Sequence, residues 1–157
     1  MRSFLLTVAY RLAVQWWRIR RPVSMGVRVM LVQEGRVMLV KHTYQDEWYF
    51  PGGGVKRDEP VEAAARREAA EEVGAVIGDQ PGAMRLVGVF ANFTDYKSDH
   101  VVCFLSETFT LGDRPPSPEI ADARFFPLDA LPAGTSPGTR RKVAAYRAGT
   151  LGSVGKW

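Results

Sequence analysis

The spacing of apolar residues changes near residue 26, and that change divides the chain. Over residues 1–21 (MRSFLLTVAYRLAVQWWRIRR), Phe4, Val8, Leu12, Trp16 and Ile19 recur at helical spacing, with Leu5 on the same side. The pattern predicts an amphipathic helix ended by Pro22. From Gly26 onward the spacing is that of strands. VRVMLVQ and RVMLVKH flank Glu34-Gly35, which predicts a hairpin, and WYF (48–50) is a short strand run stopped by PGGG. Residues 60–73 predict a helix: Pro60 suits its first turn, alanines fill it, and Gly74 stands just after its end. MRLVGVFANFT (84–94) and HVVCFLSETFT (100–110) read as two further strands joined through polar TDYKSD. A proline-rich loop follows (112–119), then ARFFP as a strand, DAL as a turn, and TRRKVAAYRAG as a closing helix begun by Pro137. Strands and helices mix without regular βαβ alternation, so the fold class expected is α/β with a mixed sheet. There is no internal repeat. The organisation expected is an N-terminal helix (1–22), one domain (23–150) and a loose tail, LGSVGKW (151–157).

Composition narrows the class. The chain has 157 residues, 46% hydrophobic and 24% charged, which suits one soluble domain with its own core. The single cysteine, Cys103, has no internal disulfide partner, and two histidines, His42 and His100, are too few and too separated for a zinc signature. A reducing, cytoplasmic setting fits. The net charge is +4, unevenly spread: acids crowd into 58–72, whereas residues 1–21 carry five arginines and no acid. Such a basic surface suits phosphorylated substrates or anionic lipid. No basic-aromatic recognition motif accompanies it, so specific nucleic-acid binding is not expected. The N-terminal apolar stretch is interrupted by Arg11 and too short to cross a bilayer. Two readings of it stay open: packing on its own domain or on a second copy in a homodimer, or lying peripherally on the inner face of an anionic membrane.

The helix over 60–73 carries the chemistry. Val61, Ala64, Ala65, Ala69 and Val73 define its apolar face, and Glu68, Glu71 and Glu72 share a face at i, i+3, i+4. The two faces overlap, with Glu72 near the middle of the apolar stripe. Burying unpaired carboxylates side by side is costly, so a positive group is expected among them. Arg67, on the flank, pairs with only part of the cluster. Hard oxygen ligands gathered on one side suit Mg²⁺ or Mn²⁺, and Gly52, Gly53 and Gly54 give a loop whose backbone can approach metal or phosphate closely. Against this stands an ordinary solvated Glu/Arg helix preceded by a glycine turn, which spacing alone does not exclude.

The segment resembles the Nudix box, G-x5-E-x7-R-E-U-x-E-E-x-G-U with U a bulky aliphatic residue. Gly53, Glu59, Arg67, Glu68, Glu71, Glu72 and Gly74 match every fixed position, while Ala69 and Ala75 depart at the two U positions. The upstream strands, WYFPGG and the later strand order are also similar to the family over about residues 24–148. The resemblance implies an α/β/α sandwich with a mixed sheet. It also implies Mg²⁺- or Mn²⁺-dependent hydrolysis of a diphosphate linkage in a nucleoside diphosphate derivative or nucleoside triphosphate. By the same resemblance, Glu68, Glu71 and Glu72 would be metal ligands, the Gly53 carbonyl a further one, and Glu59 and Arg67 a pair holding the loop and helix in shape. The alternative is a non-catalytic Nudix-fold nucleotide sensor, but such modules usually lose box carboxylates that this chain keeps.

For a general base outside the box, the loop acids Asp95, Asp99 and Glu119 are candidates, Glu119 first. Tyr44, Phe93 and Tyr96 flank expected strand ends and offer rings to a base; Trp48 fits a core better. Lys56, Arg57 and Arg85 suit phosphates or simple solvation. The proline that marks many ADP-ribose enzymes past the box is absent, with Phe90 and Ala91 in its place.

Overall fold

The computed structural model describes residues 2–20, 23–93, 98–152 and 154–157, with the side chains of 2–4, 17, 18 and 20 left aside. Among the described residues three helices, α1 (Arg2–Arg20), α2 (Val61–Val73) and α3 (Pro137–Arg147), join nine strands. The strands are β1 (Val23–Gln33), β2 (Arg36–His42), β3 (Trp48–Tyr49), β4 (Ala75–Val76), β5 (Arg85–Asn92), β6 (Ser98–Ser106), β7 (Thr110–Leu111), β8 (Ile120–Pro127) and β9 (Val154–Lys156). The main sheet runs β3-β2-β1-β6-β5-β9, with β8 also on β2. β1/β6 and β5/β9 are parallel and the other pairs antiparallel, so the sheet is mixed.

Alternation along β1 explains the layering. Val27, Val29 and Leu31 face one core, which α2 closes with Ala64, Ala65, Ala69 and Val73. Met30 and Val32 face the opposite core, which α3 closes with Val143. A sheet buried on both faces needs near-continuous apolar strands, which is what VMLV and RVMLV supply. The result is an α/β/α sandwich. Alanines on α2 let it lie close to the sheet, and its end is set by Gly74 at φ 68°, whose N–H bonds to Ala69 and Ala70 carbonyls. Ser136 caps α3 by accepting from the Thr139 N–H, with Pro137 in the first turn.

β1 pairs with β2 only at Val32–Val37 and Gln33–Arg36, across the Glu34-Gly35 turn, where both residues take positive φ. It then parts from β2 and runs beside β6 from Val23 to Leu31. That divergence frees the other edge of β1 for the loop that builds the site.

The tail differs from expectation. β9 joins the sheet beside β5, and Trp157 is buried against Phe50 and Phe90. A large aromatic two residues past Gly155 was the available signal, since burying such a ring outweighs the ordering of a short extended segment. β4 pairs with β7 in a separate two-stranded ribbon that the alternation did not reveal. Among the described residues no helix is long and apolar enough to cross a membrane.

Candidate active site

Residues 51–55 are stitched to the free edge of β1. Val29 N–H donates to Pro51 O (2.8 Å), Val27 N–H to Gly53 O (2.9 Å) and Val55 N–H to Met25 O (3.1 Å). Arg28, between these strand residues, turns its guanidinium to the carbonyls of Phe50 and Gly52 and lies over the Tyr49 ring. The loop thus arrives at α2 with fixed backbone. A Cβ on Gly53 would stand 2.7 Å from Glu68 Oε1, so a glycine is needed for that carboxylate to lie against the chain.

Arg67 gathers the acids of the loop and helix. Its Nε and Nη2 donate to the two Glu59 oxygens (2.6 and 2.9 Å), and Nη1 donates to Glu68 (2.6 Å) and Glu71 (3.3 Å). Nη2 also reaches Gly54 O (3.2 Å). The hydrogen bonds from Arg67 and the Lys56 N–H hold Glu59 down to about 2.

Glu72 is different. Its residue is 7% exposed, and Gly52 N–H donates to its Oε2 at 2.8 Å. Burial pushes its carboxyl up to about 7, against the pull of Arg28 and the Gly52 N–H. His42 Nε2 stands 4.0 Å from Glu72 Oε1. Burial, then Arg28, lowers His42 to about 4, so the ring is neutral at pH 7 and this is a contact rather than an ion pair. His42 Nδ1 is buried with no hydrogen-bond partner; the Glu119 backbone nearby opposes the shift without meeting hydrogen-bond geometry.

These groups line one cleft of about 720 Å³, whose walls include Glu68, Glu72, Glu119, Gly53, Tyr44, Asp99, Arg28, His42 and Tyr49. One wall is a ladder of rings: His42 stacks on Tyr44 (5.2 Å) and Tyr44 on Tyr10 of α1 (5.2 Å), with Gln45 donating to the Tyr10 hydroxyl. Burial and then the Glu119 charge push the Tyr44 hydroxyl up to about 12. Glu119 itself sits on an exposed loop, anchored by Thr43 N–H donating to its carbonyl.

Other candidates fall elsewhere. Glu71 does not line the cleft; its side chain is mostly solvent-exposed on the Arg67 side. Phe93 also lies outside it: Asn92 lines the cleft, strand alternation turns the next residue away, and the exposed Phe93 ring meets His100 edge-on. Arg85 pairs with Glu107, Lys56 and Arg57 are exposed, and Trp48 is in the core against Phe126. Tyr96 and Asp95 lie outside the described residues. Arg28, His42, Tyr49, Tyr10, Asn92 and Arg141 also line the cleft, although the motif spacing does not mark them. The signal for Arg28 was a charge inside an otherwise apolar strand.

Among the described residues no three histidine, cysteine or acidic side chains converge as a ready-made ion cage, since Glu68 and Glu71 are turned to Arg67. The donor set nonetheless suits a hard divalent cation. A buried carboxylate short of compensating charge, a second one a helical turn away, and a glycine loop whose Gly53 backbone lies against that second carboxylate offer oxygen donors of the required type.

Comparison with known proteins agrees with this architecture. The RNA pyrophosphohydrolase of Hydrogenovibrio crunogenus is 31% identical over 87 residues, 55% of this chain and 50% of that protein. Diphosphoinositol polyphosphate phosphohydrolase 2 of Rattus norvegicus is 42% identical over 82 residues, 52% of this chain and 43% of that protein. The matched part of the chain thus spans half or less of these curated relatives. Among solved structures, a MutT NUDIX hydrolase from Burkholderia pseudomallei superposes with a TM-score of 0.67 at 26% identity, covering 78% of this chain and 96% of that one. A NUDIX hydrolase from Nitrosomonas europaea gives 0.69 at 20% identity, covering 83% and 92%, a likeness of fold. A family profile described as the NUDIX domain matches residues 20–146, most of the chain, and the chain belongs to that family.

Proposed function

We propose that this protein hydrolyses a diphosphate linkage in a nucleoside diphosphate derivative or nucleoside triphosphate, using Mg²⁺ or Mn²⁺. The observation that carries the reading is Glu72, a carboxylate buried beside a glycine loop; it accepts from Gly52 N–H and, among the described residues, has no Lys or Arg ion pair. When bound, a divalent ion supplies charge to the anhydride oxygens and lowers the pKa of the attacking water. Glu68 and Glu72 would hold it from the cleft wall, Glu71 from the rim, and the Gly53 carbonyl oxygen would contribute the lone pair not used by the Val27 N–H. Glu59 and Arg67 lock the loop to α2, and Gly74 fixes the helix end. Glu119 would take the proton from the attacking water, its exposed loop position leaving it in contact with solvent for release. Tyr44, stacked on both His42 and Tyr10, would border a base with its edge rather than a free face. Relatives named as a pyrophosphohydrolase and a phosphohydrolase support the bond type.

The test is release of phosphate and pyrophosphate from nucleoside triphosphates, dinucleoside polyphosphates, nucleotide sugars and ADP-ribose, with Mg²⁺, with Mn²⁺ and with EDTA. Glu72→Gln is expected to keep the fold and lose most turnover. An unchanged rate for that variant in saturating Mg²⁺ would refute the assignment. Nucleotide binding without turnover of any substrate would point to the sensor reading.

A further inference from the structure

α1 reaches the cleft through Tyr10, and its outward face takes no part in the proposed hydrolysis. Its two sides have separate tasks. At about 100° per residue, Leu6, Tyr10, Ala13 and Val14 point one way, toward the domain. They are the less exposed positions, and Tyr10 meets Tyr44 and Gln45. Leu5, Val8, Leu12, Trp16 and Ile19 fall within an arc of roughly 80° on the opposite side. All five are exposed, Leu5 at 61%, Leu12 at 66% and Ile19 at 80%. An apolar stripe four turns long thus faces away from the domain.

Charge decides what covers it. Residues 1–21 carry five arginines, and no acid occurs before Glu34. Arg11 is exposed beside Leu12 of the stripe, and the segment adds four further arginines. A second copy of the helix laid on the stripe would set one segment of five arginines against another, with no acid on either to pair them. A bilayer of anionic lipid supplies what the helix lacks: apolar depth for the leucines and isoleucine, and negative headgroups for the arginine-rich segment. The helix is interrupted by Arg11 and does not qualify as a spanning segment.

We propose that the outward face of α1 docks in the plane of an anionic membrane surface, holding the protein there as a peripheral protein. Tyr10 lines the cleft from the opposite side of the same helix, so the docked surface and the cleft share one element.

The test is flotation of the full chain with phosphatidylcholine vesicles and with vesicles containing about 30% phosphatidylglycerol. Cofloating with the anionic vesicles alone is expected. Raising salt from about 0.1 to about 1 M should weaken binding about tenfold or more, because the Debye length shrinks from about 10 to about 3 Å. Leu12→Glu with Ile19→Glu should lose binding at least about tenfold while its thermal midpoint stays put, both side chains being exposed. Should that double variant fail to fold, Arg11→Glu leaves the stripe intact and is expected to weaken anionic binding several-fold. No flotation with anionic vesicles, equal flotation with neutral ones, or variants that float like the parent would each overturn the proposal. So would a dimer in sedimentation equilibrium that the Leu12 and Ile19 substitutions dissolve, since the stripe would then belong to a second copy.

Discussion

Gly74 ends α2 at the point where the carboxylate helix turns into the β4–β7 ribbon, and Gly74→Ala measures how tightly that turn is built. Two costs add. The residue takes φ 68°, where a side chain costs about 1–2 kcal/mol. A Cβ there would also stand 2.7 Å from Gly112 O and 3.1 Å from both Arg114 N and Asp113 C, all backbone atoms that cannot swing aside. The ribbon must shift, at a cost of about 1–3 kcal/mol for overpacking. That shift endangers the Gly112 N–H to Gly74 O bond (2.9 Å). Alanine recovers about 0.4–1 kcal/mol by restricting the unfolded chain. The expected loss is about 2–4 kcal/mol, a fall in Tm of about 5–15 °C for a domain of this size. Gly149→Ala is the control, because Gly149 has φ 67° but open space around its Cβ position. It should lose about 1 kcal/mol, the conformational cost alone. Denaturant unfolding of both variants separates the terms. Equal losses, within about 0.5 kcal/mol, would refute the steric part of the account.

Two further outcomes concern charge. Glu59 is held near 2 in the folded protein against an ordinary 4.5, so its contribution to stability is complete above about 4.5 and is lost as pH falls toward 2. Glu59→Gln should therefore flatten the acid limb of the Tm–pH curve in that window; an unaltered limb would show that the Arg67 pair carries no net stability. Glu72, lifted to about 7, is mostly protonated at pH 6, so Mg²⁺ binding there should release close to one proton, falling toward none at about pH 8.5. Calorimetry in buffers of different ionisation enthalpy reads this directly, and equal proton release at both pH values would contradict Glu72 as a ligand.

What the sequence made legible was whatever depends on local order. Period and turn residues marked the β1–β2 hairpin, α2 with its Gly74 end and α3 with its proline start, because each is decided within a few residues. The overlap of Glu72 with the apolar stripe was visible as well, since a helical wheel needs no tertiary information. The cleft was not legible, because it forms where β1 leaves β2 and accepts the 51–55 loop, a contact between distant segments. Arg28, His42 and Tyr10 reach the cleft only through that geometry. Phe93 and Asn92 show the limit at its sharpest: one residue of strand phase decides which of them meets the cleft. Trp157 closes a core face through a parallel pairing with β5 that no local pattern encodes.

The two alanines that depart from the box pattern belong to the same logic. Ala69 is fully buried and Ala75 nearly so, each within the core that α2 closes over Val27, Val29 and Leu31. A small residue at 69 brings the helix down onto the sheet, and the descent is what carries Glu72 out of water and toward Gly52. Packing and carboxylate burial are therefore one variable here. Ala69→Leu restores the bulky residue of the pattern but adds volume to a site with no exposed area, at an expected cost of about 1–3 kcal/mol. The helix should also stand off slightly, letting water reach Glu72 and bringing its carboxyl back down from about 7. Denaturant unfolding together with the pH dependence of Mg²⁺-linked proton release measures both effects on one sample. If Ala69→Leu were instead stabilising, with proton release unchanged, the helix would have room to spare at that face. The burial of Glu72 would then need a cause other than close approach.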